Sequence, residues 1–192
     1  MTTVTASNGW IHRPLLESDF TFWMECLKDY PLSPGEATFT YSDRLTWFSA
    51  RILNNETGTD ASIKSGFTMT NNVPLIRTYV TVKPDGTPVG IRVYSLEESG
   101  EAWIRSDMIH PTHRGNGHYT DHVLMQLGLM REWNITTTKA WVENDPVFST
   151  WAFIKTKLTN LGMGVTDEAR DSSDSALDSG GTSVSLDYWT RT

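Results

Sequence analysis

The stretch His110-Pro-Thr-His-Arg-Gly-Asn-Gly-His-Tyr-Thr120 sets the strictest limit on how this chain folds. Glu101 to Ile109, just before it, alternates as a strand does. Val123 to Trp133, just after it, repeats apolar residues at helical spacing. A strand must therefore hand over to a helix through a turn that contains Gly115 and Gly117. Such a turn is a natural anion site. The first N–H groups of a helix lack partners within it, and the macrodipole makes that end positive. Glycines accept positive φ and leave no Cβ in a ligand's way. Arg114 adds a cation able to grip phosphate oxygens through two parallel bonds.

The turn lacks the Gly-Lys-Ser/Thr that ends a Walker loop, and its glycines miss the offsets of a dinucleotide-binding fingerprint. It resembles the acyl-CoA-binding motif of the GNAT superfamily of N-acyltransferases. That motif is an Arg or Gln, two residues, a Gly, one residue, and a Gly or Ala. Arg114 and Gly117 match it, as do Pro111 and the Arg114-Gly115 pair of the lead-in. Tyr119 stands where a small residue is usual. The resemblance implies that backbone N–H groups of Arg114, Gly115, Asn116, Gly117, His118 and Tyr119 hold the CoA pyrophosphate, with Thr120 adding a side-chain contact. It implies that backbone groups of Met108 and Ile109 pair with the pantetheine arm, and that Asn144 is the family's Asn after the fifth strand. Acetyl-CoA would be the co-substrate, and a primary amine on a small molecule or peptide the acceptor.

Residues 1–9 read as a flexible polar arm, and residues 10–192 as one domain. Trp10 to Leu15 is a short strand. Ser18 or Asp19 can cap a helix with Phe20, Trp23, Met24, Leu27 and Tyr30 on one face, broken by Pro31. Ser42 can cap a second helix, with Leu45, Phe48, Ile52 and Leu53 on its inner side. Asn54 to Asn72 reads as a long loop. Leu75 to Val82, Val89 to Leu96 and Ala102 to Ile109 form a meander, with Lys83-Pro-Asp-Gly86 as its first turn. A strand from Ile135 to Val142 follows the central helix. A helix begins at Asp145-Pro146 and stops at Gly162, and a terminal hairpin ends in Thr182 to Thr190. The class is α+β: a mixed, mostly antiparallel central sheet flanked by helices in α/β/α-like layers. This order is similar to that of the GNAT fold. Arg13-Pro14 followed by Asp19, and Leu161-Gly162-Met163, match further family habits.

Acyl transfer needs a base for the amine proton, a polar group for the oxyanion, and an acid for the leaving thiolate. Base candidates are Glu101, Asp107 and His110. The family's usual acid, a Tyr before the Leu-Gly-Phe segment, falls on Leu158 here, which leaves Tyr119 as the substitute. Loss of that Tyr also opens an alternative, an inactive module of the same fold that binds CoA or a partner. His110, His113, His118 and His122 crowd the turn. His118 and His122 lie four apart on one helix face, as a metal pair does, with Asp107 or Asp121 as further ligands. Solvated or cofactor-lining histidines explain the cluster more simply, and no metal is expected.

The net charge of −7 argues against general nucleic-acid binding and suits a cationic acceptor. Cys26 is the only cysteine, so no internal disulfide can form. No apolar run reaches membrane-spanning length, and the first residues lack a secretory pattern, so the expected compartment is the cytoplasm. The final strand could pair across a homodimer.

Overall fold

The computed structural model describes residues 2–28, 40–56, 75–96, 101–135, 137–142, 156, 160, 164–167 and 184–190. The strands are β1 (Val4–Thr5), β2 (Ile11–Pro14), β3 (Leu75–Val82), β4 (Pro88–Leu96), β5 (Glu101–Ile109), β6 (Thr137–Val142), β7 (Gly164–Asp167) and β8 (Val184–Thr190). They form one sheet in the order β1-β2-β3-β4-β5-β6-β8-β7. Every neighbouring pair is antiparallel except β5 with β6. This is the mixed, mostly antiparallel sheet expected from the sequence. The helices are α1 (Phe20–Cys26), α2 (Tyr41–Glu56) and α3 (His118–Trp133). Thr156 and Asn160 are helical. The rest of the helix expected from Asp145 to Leu161 lies outside the described residues, as do Asn144 and Leu158. Among the described residues, no helix is long and apolar enough to cross a membrane.

The two faces of the sheet are covered differently. On one, Leu15, Trp23, Cys26, Leu27, Phe48, Val80, Val82, Ile91 and Met108 make a core under α1 and α2. On the other, Trp133 of α3 meets the edges of Tyr79 and Tyr94 at 5.5 and 5.6 Å between ring centroids. Trp10, Val89 and Met125 form a second cluster there, with Val4 against it. Coverage on both faces leaves β3 and β4 almost wholly buried. Polar side chains on these strands must then find partners inside the protein.

Several local expectations are corrected. Val4 and Thr5, expected in a flexible arm, pair with His12 and Ile11 as an edge strand. Asp19 does not use its carboxylate to cap α1. It binds the guanidinium of Arg13 through both oxygens, at 2.7 and 2.8 Å, and accepts the Leu16 N–H. The cap of α2 is Thr40, not Ser42. The Thr40 hydroxyl accepts the Asp43 N–H, and the Asp43 carboxylate accepts the Thr40 N–H at 2.8 Å, a reciprocal capping box. Leu45 and Leu53, assigned to the inner side of α2, are exposed. Residues 54 to 56, expected in the loop, end this helix, and the Asn55 side chain is buried against both the N–H and C=O of Thr78 at 2.8 Å.

Gly90 lies where β4 passes closest to its neighbours. A Cβ there would sit 2.7 Å from the Met108 carbonyl oxygen and 2.7 Å from Ile109 Cδ1. The carbonyl belongs to the paired strand and cannot yield without distorting it. Gly90→Ala is therefore expected to destabilise the fold by about 1–3 kcal/mol. Thermal denaturation should show the midpoint falling by about 3–10 °C.

Candidate functional site

At the end of β5 the chain enters a short 3-10 turn, Pro111–His113, and reaches Gly115 and Gly117 at φ 75 and 77°. Both are left-handed, a conformation that favours glycine. A Cβ added at either would meet nothing within 4 Å, so handedness rather than space demands glycine, and the outer side of the turn is open. Gly117 is the N-cap of α3 and, being glycine, brings no side chain to cap it. Thr120 donates back to the Gly117 carbonyl at 3.1 Å and is itself buried. Arg114 is exposed, and its Nε donates to the Ile109 carbonyl at 2.9 Å. That bond folds the guanidinium back over the end of β5. The expected strand, glycine turn and helix are all present; the Arg114 N–H donates to the Pro111 carbonyl at 3.3 Å, and the outward N–H groups are the first ones of α3, which have no partner inside the helix.

The open side of β5 adds a second element. Its parallel ladder with β6 pairs Glu101 with Thr137 and ends at Ile104 with Ala140. On the β4 side, Val93 pairs with Ser106 but Tyr94 with Ile104, so Arg105 is an extra, bulged residue. Beyond it, among the described residues, the strand ladder of β5 is with β4. The His110 N–H donates to the Val89 carbonyl at 2.9 Å. Peptide groups of alternate residues point the same way, so those of Met108 also face β4. Those of Asp107 and Ile109 face the open side. Of the two residues expected to pair with a ligand's arm, Ile109 turns its peptide groups away from β4, with its carbonyl accepting Arg114 Nε, and Met108 turns its own toward β4. Asp107 takes its place, while the Met108 side chain packs in the core under α1.

Asp107 turns its carboxylate to the other face, under α3, where it anchors a buried polar network. Arg92, paired with it across the strands and fully buried, forms a close ion pair with Oδ2. Tyr119 donates to Oδ2 at 2.8 Å, and His122 Nε2 lies 2.6 Å from Oδ1. Arg92 also donates to Oε1 of Gln126. Burial alone would raise the Asp107 pKa, but Arg92 and then His122 outweigh it and hold the carboxyl well below its usual range. Burial is also the main reason that His122 and His12 stay neutral, with pKa values below the ordinary imidazole range. The proton positions follow. Asp107 can only accept, so His122 Nε2 carries the hydrogen, and Nδ1 accepts from Thr81 Oγ1 at 2.6 Å. Thr81 in turn accepts from His12 Nδ1 at 2.8 Å, and His12 Nε2 accepts from the Tyr94 hydroxyl at 3.0 Å.

These contacts revise the catalytic candidates. A carboxylate that is ion-paired, doubly hydrogen-bonded and kept ionised is a poor proton acceptor, which counts against Asp107 as the base. Burial and the adjacent Asp107 raise the Tyr119 pKa well above its usual value, and its proton is held by that carboxylate. Tyr119 is therefore ill-suited to protonate a thiolate. His110 stacks on Phe22 at 5.3 Å and holds Glu25 Oε2 at 2.6 Å, which ties α1 to the turn. Glu101 begins β5 beside Thr137 of β6. His118 and His122 do not converge. His118 lies against Trp10 at 5.6 Å and His113 at 5.7 Å, while His122 has both ring nitrogens engaged.

No family model and no curated protein sequence matches the chain. Solved structures do. Spermidine N-acetyltransferase from Vibrio cholerae, in complex with CoA and spermine, aligns over 95% of this chain and 95% of its own, at 12% identity and a TM-score of 0.65. A point mutant of that enzyme aligns over 96% and 95%, at 12% identity and a TM-score of 0.63. The chain shares the fold of these acetyltransferases.

The neutral histidines set a pH dependence. His12 and His122 stay unprotonated when folded but bind protons in the unfolded chain below about pH 6.5. Stability should therefore fall as pH drops through 6.5, by roughly 1 kcal/mol per pH unit for each histidine. The Asp107 contribution has its own window. It is present above about pH 4 and is lost only as pH falls toward its depressed pKa. Urea melts between pH 7.5 and 5 should show the histidine slope, and His12→Gln should roughly halve it.

Proposed function

We propose that the protein is an acyl-CoA-dependent N-acetyltransferase that passes an acetyl group from acetyl-CoA directly to a primary amine. The observation that carries this is the open, left-handed glycine turn at the end of a half-paired strand. A diphosphate accepts hydrogen bonds from N–H groups of Gly115, Asn116, Gly117, His118 and Tyr119 at the positive end of α3, with the Arg114 side chain beside them. The pantetheine arm bonds to peptide groups that β5 turns away from β4, those of Asp107 and the N–H of Ile109. The family resemblance adds Asn144, two residues along the chain from the end of β6. The shared fold of a structure that holds CoA supports the cofactor, and its spermine supports a small cationic amine as the first acceptor to try. The net charge of −7 favours such an acceptor.

In the reaction the amine lone pair attacks the thioester carbonyl. A C–N bond forms and the C–S bond breaks. The amine proton leaves through water to a base, and the thiolate takes a proton. With Asp107 and Tyr119 held under α3, Glu101 and His110 remain as the base candidates. A second reading, a module that binds CoA without turnover, draws on Leu158 at the family's usual Tyr position.

Thermal unfolding with saturating acetyl-CoA tests the cofactor site. At a hundred times its dissociation constant a ligand stabilises by about 2.7 kcal/mol. The midpoint should rise by roughly 5–10 °C in the wild type and stay unchanged in an Arg114→Ala, Gly117→Trp double variant. No rise with acetyl-CoA, CoA or a longer acyl-CoA would overturn the proposal. Binding without transfer to a broad panel of amines would favour the second reading.

A further inference from the structure

The polar side chains that α3 turns inward are spaced in a way that fixes one end of the glycine turn. Tyr119, His122 and Gln126 fall at i, i+3 and i+7, so they share one helix face. All three reach the same cross-strand pair, Arg92 and Asp107. Tyr119 stands in the first turn of α3, directly after the turn's outward N–H groups. Asp107 stands just before Ile109, whose carbonyl receives Arg114. The Tyr119–Asp107 bond therefore closes a loop from residue 107 to residue 119. It spans the entire segment that would hold a diphosphate. His122 also holds Asp107, but from the next turn of α3, so the Tyr119 bond is the one nearest the glycine turn.

We infer that Asp107 and Tyr119 are positioning residues for the diphosphate of CoA: their bond sets the spacing of the N–H groups over residues 115–119 against the open side of β5. The inference rests on the acyl-CoA reading above. It places neither side chain on the ligand. They act through the backbone, as a small misplacement of donors is enough to weaken a site that depends on several of them at once. The far end of the network makes a control. His12 belongs to the same chain of hydrogen bonds but touches neither Asp107 nor Tyr119. A purely structural role would give variants at both ends the same behaviour.

The test uses the full chain and CoA itself, with calorimetry for affinity and stoichiometry and phosphorus NMR for the bound nucleotide. Tyr119→Phe and Asp107→Asn should bind CoA at unchanged stoichiometry with a dissociation constant raised about tenfold, the size of one hydrogen bond to a charged group. Their diphosphate resonances should shift from the wild-type positions while the 3′-phosphate resonance stays in place. His12→Gln should bind within twofold of the wild type. Loss of folded protein would lower stoichiometry and leave the dissociation constant alone. If Asp107→Asn does not fold, Tyr119→Phe, which removes one hydroxyl, decides. Unchanged affinity in Tyr119→Phe, or an equal loss in His12→Gln, would overturn this inference while leaving the acyl-CoA reading intact. No CoA binding by the wild type would overturn both.

Discussion

A carboxylate buried beneath a helix must be compensated in full, and Asp107 is. Its side chain is 14% exposed and meets Arg92, Tyr119 and His122 at once. Each partner depends on another. Arg92 is fully buried and would itself be an orphaned charge without Asp107, and His122 takes its tautomer from Asp107. The network spans β2, β3, β4, β5 and α3, so it fixes how that helix lies on the sheet. It resists partial loss. Removing one member leaves a buried charge or a buried imidazole with an unmet bond, whereas apolar packing nearby loses only contact area.

Much of the fold was legible because two periodicities are plain in this sequence. The meander from Leu75 to Ile109 alternates, and the stretch from Val123 to Trp133 repeats at helical spacing. Turn chemistry marked Lys83 to Gly86, and Gly86 does adopt positive φ, 87°. What was missed turns on long-range pairing. The edge strand of Val4 and Thr5 exists because β2 offers it a ladder, which nothing in the segment itself announces. Thr40 rather than Ser42 caps α2 because Asp43 can return the bond. The bulge at Arg105 leaves no mark on a pattern read by alternation alone.

The site divides in the same manner. The glycine turn was readable because glycines at φ near 75° leave a direct trace in the amino-acid type. Asp107 was misread because alternation says that a residue faces one side of a strand but not what covers that side. One signal was available. Tyr119, His122 and Gln126 place polar groups along the inner face of a helix whose neighbours Val123, Met125, Leu129 and Met130 are buried. A polar stripe inside an apolar face must have partners, and the charged residues of the adjoining strands are where to seek them.

The short ladder between β5 and β6 has a mechanical meaning. The sheet is two blocks, β1 to β5 and β6 to β8, stitched along four residue pairs at one end and unstitched at the other. Such a seam works as a lever with its fulcrum near Ile104 and Ala140. A small rotation about that pair is magnified along β5 and is largest at Ile109, where the glycine turn begins. The amides from Thr137 to Ala140 then act as a strain gauge for the mouth of the cleft, since whatever wedges into it or bridges it is felt first at the last stitch.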